Sequence, residues 1–184
     1  MDKEKINAER HTLLQRLEDE LQDNLMAAQL REKENPDDPD EPEVLGILLD
    51  ELGSGAEEAL GEICFRPLAS EDDEIQYFTM LITFSDDLQS QYLPAVVEAA
   101  SYINFHIPCG SFQVDMTHTF LCYRLAAPLP ISLAGDALYE EMNLLTGNAV
   151  AIADQFFDIL LDVSRGEASI DDVIIFLGGT PTQQ

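Results

Sequence analysis

Between Leu138 and Val163, apolar residues recur at alternating steps of four and three: Leu138, Met142, Leu145, Ala149, Ile152, Phe156, Ile159 and Val163. An α-helix sets residues at that spacing on one line, so the segment is read as helix. Ser132 is placed to cap it by accepting hydrogen bonds from the first turn's N–H groups. At 1.5 Å per residue, a helix over residues 132–163 is about 45 Å long. Gly147 costs it about 1 kcal/mol and marks a point where it can bend. A seam of that length needs something to lie on, and the preceding chain supplies a sheet.

The clearest strand covers residues 75–84, rich in β-branched and aromatic residues. Phe78, Met80, Ile82 and Phe84 share one face, while Ile75, Tyr77 and Leu81 share the other. Both faces are apolar, so something is expected to cover the second at least in part, either the N-terminal helices or a sister subunit. A shorter strand over residues 62–68 precedes it, with a turn cluster at 70–73. Asp86 and Asp87 turn the chain. Pro94 suits the first turn of a helix that runs to about Asn104, with Val96, Val97, Ala100 and Ile103 facing inward. A strand over 110–116 alternates Phe112 and Val114 with Gln113 and Asp115. Thr117 and His118 form its hairpin tip, and a return strand over 119–126 is broken by Pro128 and Pro130. Beyond the long helix, Arg165 and Gly166 make a stop. Ser169 caps a short helix over 170–177, with Asp171 and Asp172 in the first turn where carboxylates are favoured.

These pieces define an α+β chain. An antiparallel sheet in the order strand-strand-helix-strand-strand-long helix is preceded by N-terminal helices. Residues 44–178 form the domain, with the sheet core from about 62, and 179–184 are a loose tail.

The N-terminal helix is expected over residues 5–31, within a leader of 1–31. Leu14, Leu17, Leu21, Leu25 and Ala28 make one apolar stripe, and charged residues fill the other face. That stripe can rest on the protein's own domain, on a second copy or on a foreign partner. Residues 32–43 carry three prolines and no apolar residue and read as a solvated linker. A calcium loop needs a glycine at its sixth position, which this stretch lacks. Residues 44–52, Val-Leu-Gly-Ile-Leu-Leu-Asp-Glu-Leu, read as a short apolar helix ended by Gly53-Ser54-Gly55. A second helical piece is expected at 57–60.

Charge narrows the partners. The chain has 36 acidic and 9 basic residues, a net charge of −27. Six of the basic residues lie in residues 1–34, which leaves the remainder at −24 with only Arg66, Arg124 and Arg165. Such a surface repels phosphate backbones and anionic lipid, so no nucleic acid and no membrane is expected as a partner. A basic partner, or plain solubility, accounts for the charge better. A nucleic-acid mimic is the weaker alternative, because the acids do not fall at intervals that imitate phosphates. No unbroken 18-residue apolar run predicts a membrane span, and the charged start lacks a signal-peptide pattern. Cys64, Cys109 and Cys122 are read as buried, reduced thiols of a cytoplasmic protein.

No catalytic constellation stands out. There is no nucleophile elbow, phosphate-cradling glycine loop or metalloprotease helix motif. His106, Cys109, His118 and Cys122 resemble a zinc set by residue type alone. On the hairpin reading, His118 and Cys109 lie more than about 20 Å apart at 3.3 Å per strand residue. No cofactor, metal or catalytic residue is therefore assigned.

The stretch Asn104-Phe-His-Ile-Pro108-Cys-Gly110-Ser-Phe112 resembles the Asn-x(3)-Pro-x-Gly-x-Phe signature of the YbjN family, which shares the type III secretion chaperone-like fold. In that signature a helix ends, the chain turns at Pro-x-Gly and a strand begins. The likeness covers about residues 62–177, and the leader and acidic linker have no counterpart in it. It implies an α+β fold, no catalysis, homodimers and a protein-binding, chaperone-like or regulatory role. With the two-sided apolar sheet, the expected function is to hold a protein partner, basic or extended. The candidate binding residues are Leu14, Leu17, Leu21, Leu25, Ile47, Leu48, Tyr77 and Leu81. The alternative is a homodimeric structural protein whose leader helix only completes its own core.

Overall fold

The computed structural model describes residues 3–31, 33, 38, 41–55, 57–68, 70, 72–85 and 87–180. Most of the acidic linker over 32–43, Asp86 of the expected turn and the last four residues of the tail lie outside them. Along the chain run α1 (Lys3–Asp23), β1 (Ala28–Arg31), β2 (Val44–Leu52), β3 (Glu57–Phe65), β4 (Ile75–Ser85), α2 (Leu93–Asn104), β5 (Ser111–Asp115), β6 (Phe120–Pro130), α3 (Gly135–Arg165) and α4 (Ile170–Phe176). The class is α+β. Among the described residues, four strands rather than two precede α2, and one helix rather than several comes before them.

The six strands are ordered β1-β2-β3-β4-β6-β5. β1 pairs antiparallel with β2, Ala28 opposite Ile47, and β5 pairs antiparallel with β6, Phe112 opposite Tyr123. Ile131 N–H donates to Glu74 C=O at the start of β4, and Leu88 N–H donates to Thr119 C=O past its end. β4 and β6 therefore run in opposite directions. β5 is then parallel to β4 with β6 between them, an arrangement that requires a crossover, and α2 supplies it.

Two compact units emerge. One comprises Met1–Leu49, Leu60–Leu81 and Ala126–Asn148, the other Asp50–Ala59, Ile82–Leu125 and Ala149–Gln184. In the first, Leu45, Ile47, Ile63, Phe78 and Met80 from the strands are buried together with Leu13, Leu14 and Leu17 of α1 and Leu138 and Met142 of α3. Phe65 and Phe78 meet edge to face, ring centroids 5.6 Å apart. In the second, Phe112 contacts the rings of Phe84, Tyr123 and Phe156 at 5.1–5.7 Å. Phe84 also touches Phe157 at 4.8 Å. Offset and tilted ring pairs of this kind add to the burial of the rings themselves.

Several expectations are overturned. Residues 44–52 and 57–60 are strand, not helix. A short apolar run has no periodicity that separates buried strand from buried helix. Here a neighbouring strand on each side of β2 decides the matter by taking up its backbone groups. The strand expected over 62–68 is β3, starting five residues earlier and ending at Phe65. The leader helix stops at Asp23 and not at residue 31. Asn24 turns its side chain back onto Glu20 C=O, Leu25 takes a left-handed φ of 65°, and residues 28–31 join the sheet. Leu25 and Ala28 therefore leave the helical stripe. Val97 is exposed, and Ala99 takes the inward place expected for it.

β6 runs through Pro128 to Pro130. The last β5–β6 pair is Ser111 with Arg124, so the prolines fall where β6 has no β5 partner to receive an N–H. The long helix begins at Gly135, three residues past the expected Ser132 cap, and Glu9 accepts its first N–H at 2.7 Å. Ser169 caps α4 with a full capping box, sharing hydrogen bonds with Asp172. By length and composition α3 is long and apolar enough to cross a bilayer, which a search for an unbroken apolar run passes over. Its inward residues Leu138, Met142, Ala149, Ala153, Phe157 and Leu160 are nevertheless fully buried, as in the core helix of a globular domain.

Candidate functional site

The candidate binding residues divide three ways. Leu14, Leu17 and Ile47 are core residues and offer nothing to a partner in this conformation. Leu21 and Leu81 are half-buried. Leu25 is 95% exposed, but it stands alone in the turn after α1. Leu48 and Tyr77 are the two that sit on an open sheet face.

That face follows from strand alternation. Leu45, Ile47 and Leu49 of β2, Ile63 and Phe65 of β3, and Phe78 and Met80 of β4 point inward. Their neighbours point outward. The outward set of the first unit includes Leu48, Leu60, Ile75 and Tyr77, whose exposures run from 37% to 50%. β2, β3 and β4 are adjacent, so these side chains lie on one face, but Tyr77 C=O accepts from Arg66 N–H, which sets Tyr77 and Ile75 about six residues along the strands from Leu60 and Leu48. Leu48 and Leu60 line a groove with Ala28, Gln29 and Arg31 of β1. Arg31 is ion-paired to Glu62 on the same face. Leu60 escaped the sequence reading because its segment was read as the end of a helix; once β3 is a strand, its outward position is forced.

The nine-residue stretch from Asn104 to Phe112 is a structural joint. Asn104 donates from Nδ2 to Phe112 C=O at 3.0 Å and accepts Phe112 N–H on Oδ1 at 2.8 Å. Its side-chain amide thus satisfies both backbone groups of Phe112. Gly110 has φ +67°, and Tyr123 O–H donates to Cys109 C=O at 2.9 Å beside it. Burial pushes the Tyr123 hydroxyl pKa up, so it remains a donor.

Residues suggested by a zinc-like composition have other roles. His118 lies on the hairpin after β5, its Nδ1 2.9 Å from Asp115 Oδ2, and His106 packs its ring nitrogen against Tyr102 C=O. The His118 hydrogen bond, helped by the N–H groups of His118 and Thr117, holds the Asp115 carboxyl down at about 2. Among the described residues, no group of three or more His, Cys, Asp or Glu is placed to hold a metal ion.

The cysteines are not uniformly buried as expected. Cys122 is buried, Cys64 is half-buried and Cys109 is exposed. Burial pushes the Cys122 thiol up to about 11, with Arg124 pulling the other way. Cys109 is open to solvent and Cys122 is buried with its thiolate disfavoured, so Cys109 is expected to react first with a thiol reagent at pH 8 and Cys122 at least about tenfold more slowly. Peptide mapping after timed labelling reads the two rates; equal rates would contradict this packing.

One polar feature has no counterpart in the sequence reading. Arg10 of α1 is 3% exposed. Its Nε donates to Gln76 Oε1 at 3.1 Å and its Nη1 to Leu133 C=O at 3.2 Å, and the guanidinium lies 5.3 Å from the centre of the Phe65 ring. Its Nη2 has no hydrogen-bond partner among the described residues. The nearest carboxylate, Glu9, is 3.8 Å from Nη1. Arg10 lines a cavity of about 470 Å³. The spacing of Ile6, Arg10, Leu13 and Leu17, all buried, was the available signal: a charged residue stands on the apolar line of the helix.

The fold and its faces place the chain in the α+β class with an open sheet. No family model and no curated protein matches it. Among solved structures it is similar to an uncharacterized protein from Methanothermobacter thermautotrophicus, at 12% identity and a TM-score of 0.42, over 85% of this chain and 99% of the other. A likeness of that degree carries no argument about function.

Proposed function

We propose that this chain is a cytoplasmic, non-enzymatic protein that binds another protein on the outer face of β2, β3 and β4. The observation that carries the reading is that the outer face exposes apolar side chains at both ends, Leu48 and Leu60 at one and Ile75 and Tyr77 at the other, each between 37% and 50% exposed. Paired large apolar residues on a water-facing sheet favour association over solvation. The net charge of −27 favours a basic partner, steering it by long-range attraction. The resemblance of the Asn104 to Phe112 stretch to the YbjN signature supports a chaperone-like or regulatory role. Homodimerisation through the same face is the second reading, supported by the same exposed side chains. α1 fits the alternative in which the leader completes its own core, since Leu14 and Leu17 are buried in the first unit.

A photo-crosslinking residue at position 77, expressed at native level, tests the reading. It is expected to capture one discrete protein, and an Ile75→Asp substitution in the same chain, on the same face two residues away, is expected to reduce that product at least about tenfold. A product of twice the chain mass selects the homodimer. No product above that given by the same probe at Phe105 would sink the proposal.

A further inference from the structure

We infer that the cavity beside Arg10 is a binding site for a small organic monocarboxylate with an apolar body. The protein is strongly acidic, yet the guanidinium it buries here at 3% exposure has Glu9 beside it only at 3.8 Å, beyond hydrogen-bond reach. Buried charges are ordinarily paired, and buried N–H groups ordinarily have acceptors. Arg10 has two of its N–H directions filled by neutral oxygens, and Nη2 has no acceptor among the described residues. Burial pulls its pKa below the usual arginine value, and Glu9 offsets only part of that effect. An incoming carboxylate would supply the acceptor Nη2 lacks and bring a negative charge to hydrogen-bond distance, closer than Glu9 stands.

The walls select the kind of anion. Leu14, Phe65, Pro42 and Pro67 give the cavity apolar sides, which suit a hydrocarbon body. A volume of about 470 Å³ falls in the range of small-molecule sites. The other charged groups at its rim are His11, Lys33, Glu41 and Glu43. Glu43 is engaged by His11 Nδ1 at 3.0 Å, which draws one of the two rim carboxylates onto a neighbour. A phosphate dianion would meet these carboxylates and apolar walls with one buried cation, Arg10, and Lys33 only at the rim, a poor match for two charges. A monocarboxylate carries half that charge and fills the remaining space with carbon.

The test uses the full-length chain and four probes: benzoate, 4-methylvalerate, benzamide and inorganic phosphate. Side-chain nitrogen NMR follows the Arg10 guanidinium, assigned by an Arg10→Lys variant. The wild-type Arg10 signal is expected to move saturably with benzoate or 4-methylvalerate, and with an affinity at least about tenfold above that for benzamide. An Ala8→Trp variant, which places a large ring at the exposed rim of the cavity, is expected to abolish the shift while leaving the remaining spectrum folded. Equal affinity for benzoate and benzamide, a response to phosphate alone, an unmoved Arg10 signal at tens of millimolar probe, or full binding by the Ala8→Trp variant would each overturn the assignment.

Discussion

Gly110→Ala is expected to lower the stability of the protein by about 3 kcal/mol or more, and to unfold it outright if the wild type is only marginally stable. Two costs combine. The residue sits at φ +67°, where an L side chain costs about 1–2 kcal/mol. A Cβ there would also stand 2.1 Å from the Tyr123 hydroxyl oxygen, closer than two atoms can approach. Tyr123 is fully buried, so its ring cannot swing into water to make room. The hydroxyl must break its bond to Cys109 C=O, which leaves a buried donor without an acceptor at a further cost of about 1–3 kcal/mol. Gly135→Ala is the control. It shares a positive φ, 59°, but a Cβ there meets nothing within 4 Å. Only the backbone cost of about 1–2 kcal/mol applies. Urea unfolding midpoints compare the two, and equal losses would show that Tyr123 is not the obstacle.

Phe112→Ala is expected to cost about 3–5 kcal/mol, the range for removing a buried aromatic ring. The ring is in contact with Phe84, Tyr123 and Phe156, so its loss opens a void bordered by three rigid aromatics that collapse poorly. Phe105, seven residues earlier, is 86% exposed. Its replacement by Ala is expected to change stability by less than about 0.5 kcal/mol. Thermal unfolding of the two variants separates a core ring from a solvent ring in one short stretch. A loss below about 1 kcal/mol for Phe112→Ala would mean that the aromatic cluster is looser than its geometry indicates.

The sequence disclosed those parts of the fold whose periodicity was long or whose turn chemistry was explicit. α3 was legible from eight residues on one line, β4 from its aromatic and β-branched run, and α4 from the Ser169 cap. β1 and β2 were not, because both depend on partners distant in sequence. Gly46 and the apolar neighbours around it are compatible with either structure until β1 and β3 flank them. The proline-containing end of β6 was hidden for the converse reason: only the β5 register shows that no strand lies opposite it. On the outer face, Tyr77 followed from alternation within a correctly read strand, whereas Leu60 required β3 to be recognised first. Leu14 and Leu17 were correctly placed on an apolar stripe, but spacing alone does not say that the stripe is already covered. Arg10 looked like one more member of a charged helix face, although its register put it among Ile6, Leu13 and Leu17.

The outermost strands of the sheet, β1 and β5, are four and five residues long, against nine to eleven for the four between them. A border that short presents few open backbone groups to a passing chain, and each edge strand ends on a charged residue, Arg31 or Asp115, that pairing would have to desolvate. Crowding such molecules together therefore does not seed ribbon-like stacking through their rims. Self-recognition, where it occurs, is left to side chains rather than to the peptide backbone, which ties any assembly to particular residues that substitution can remove.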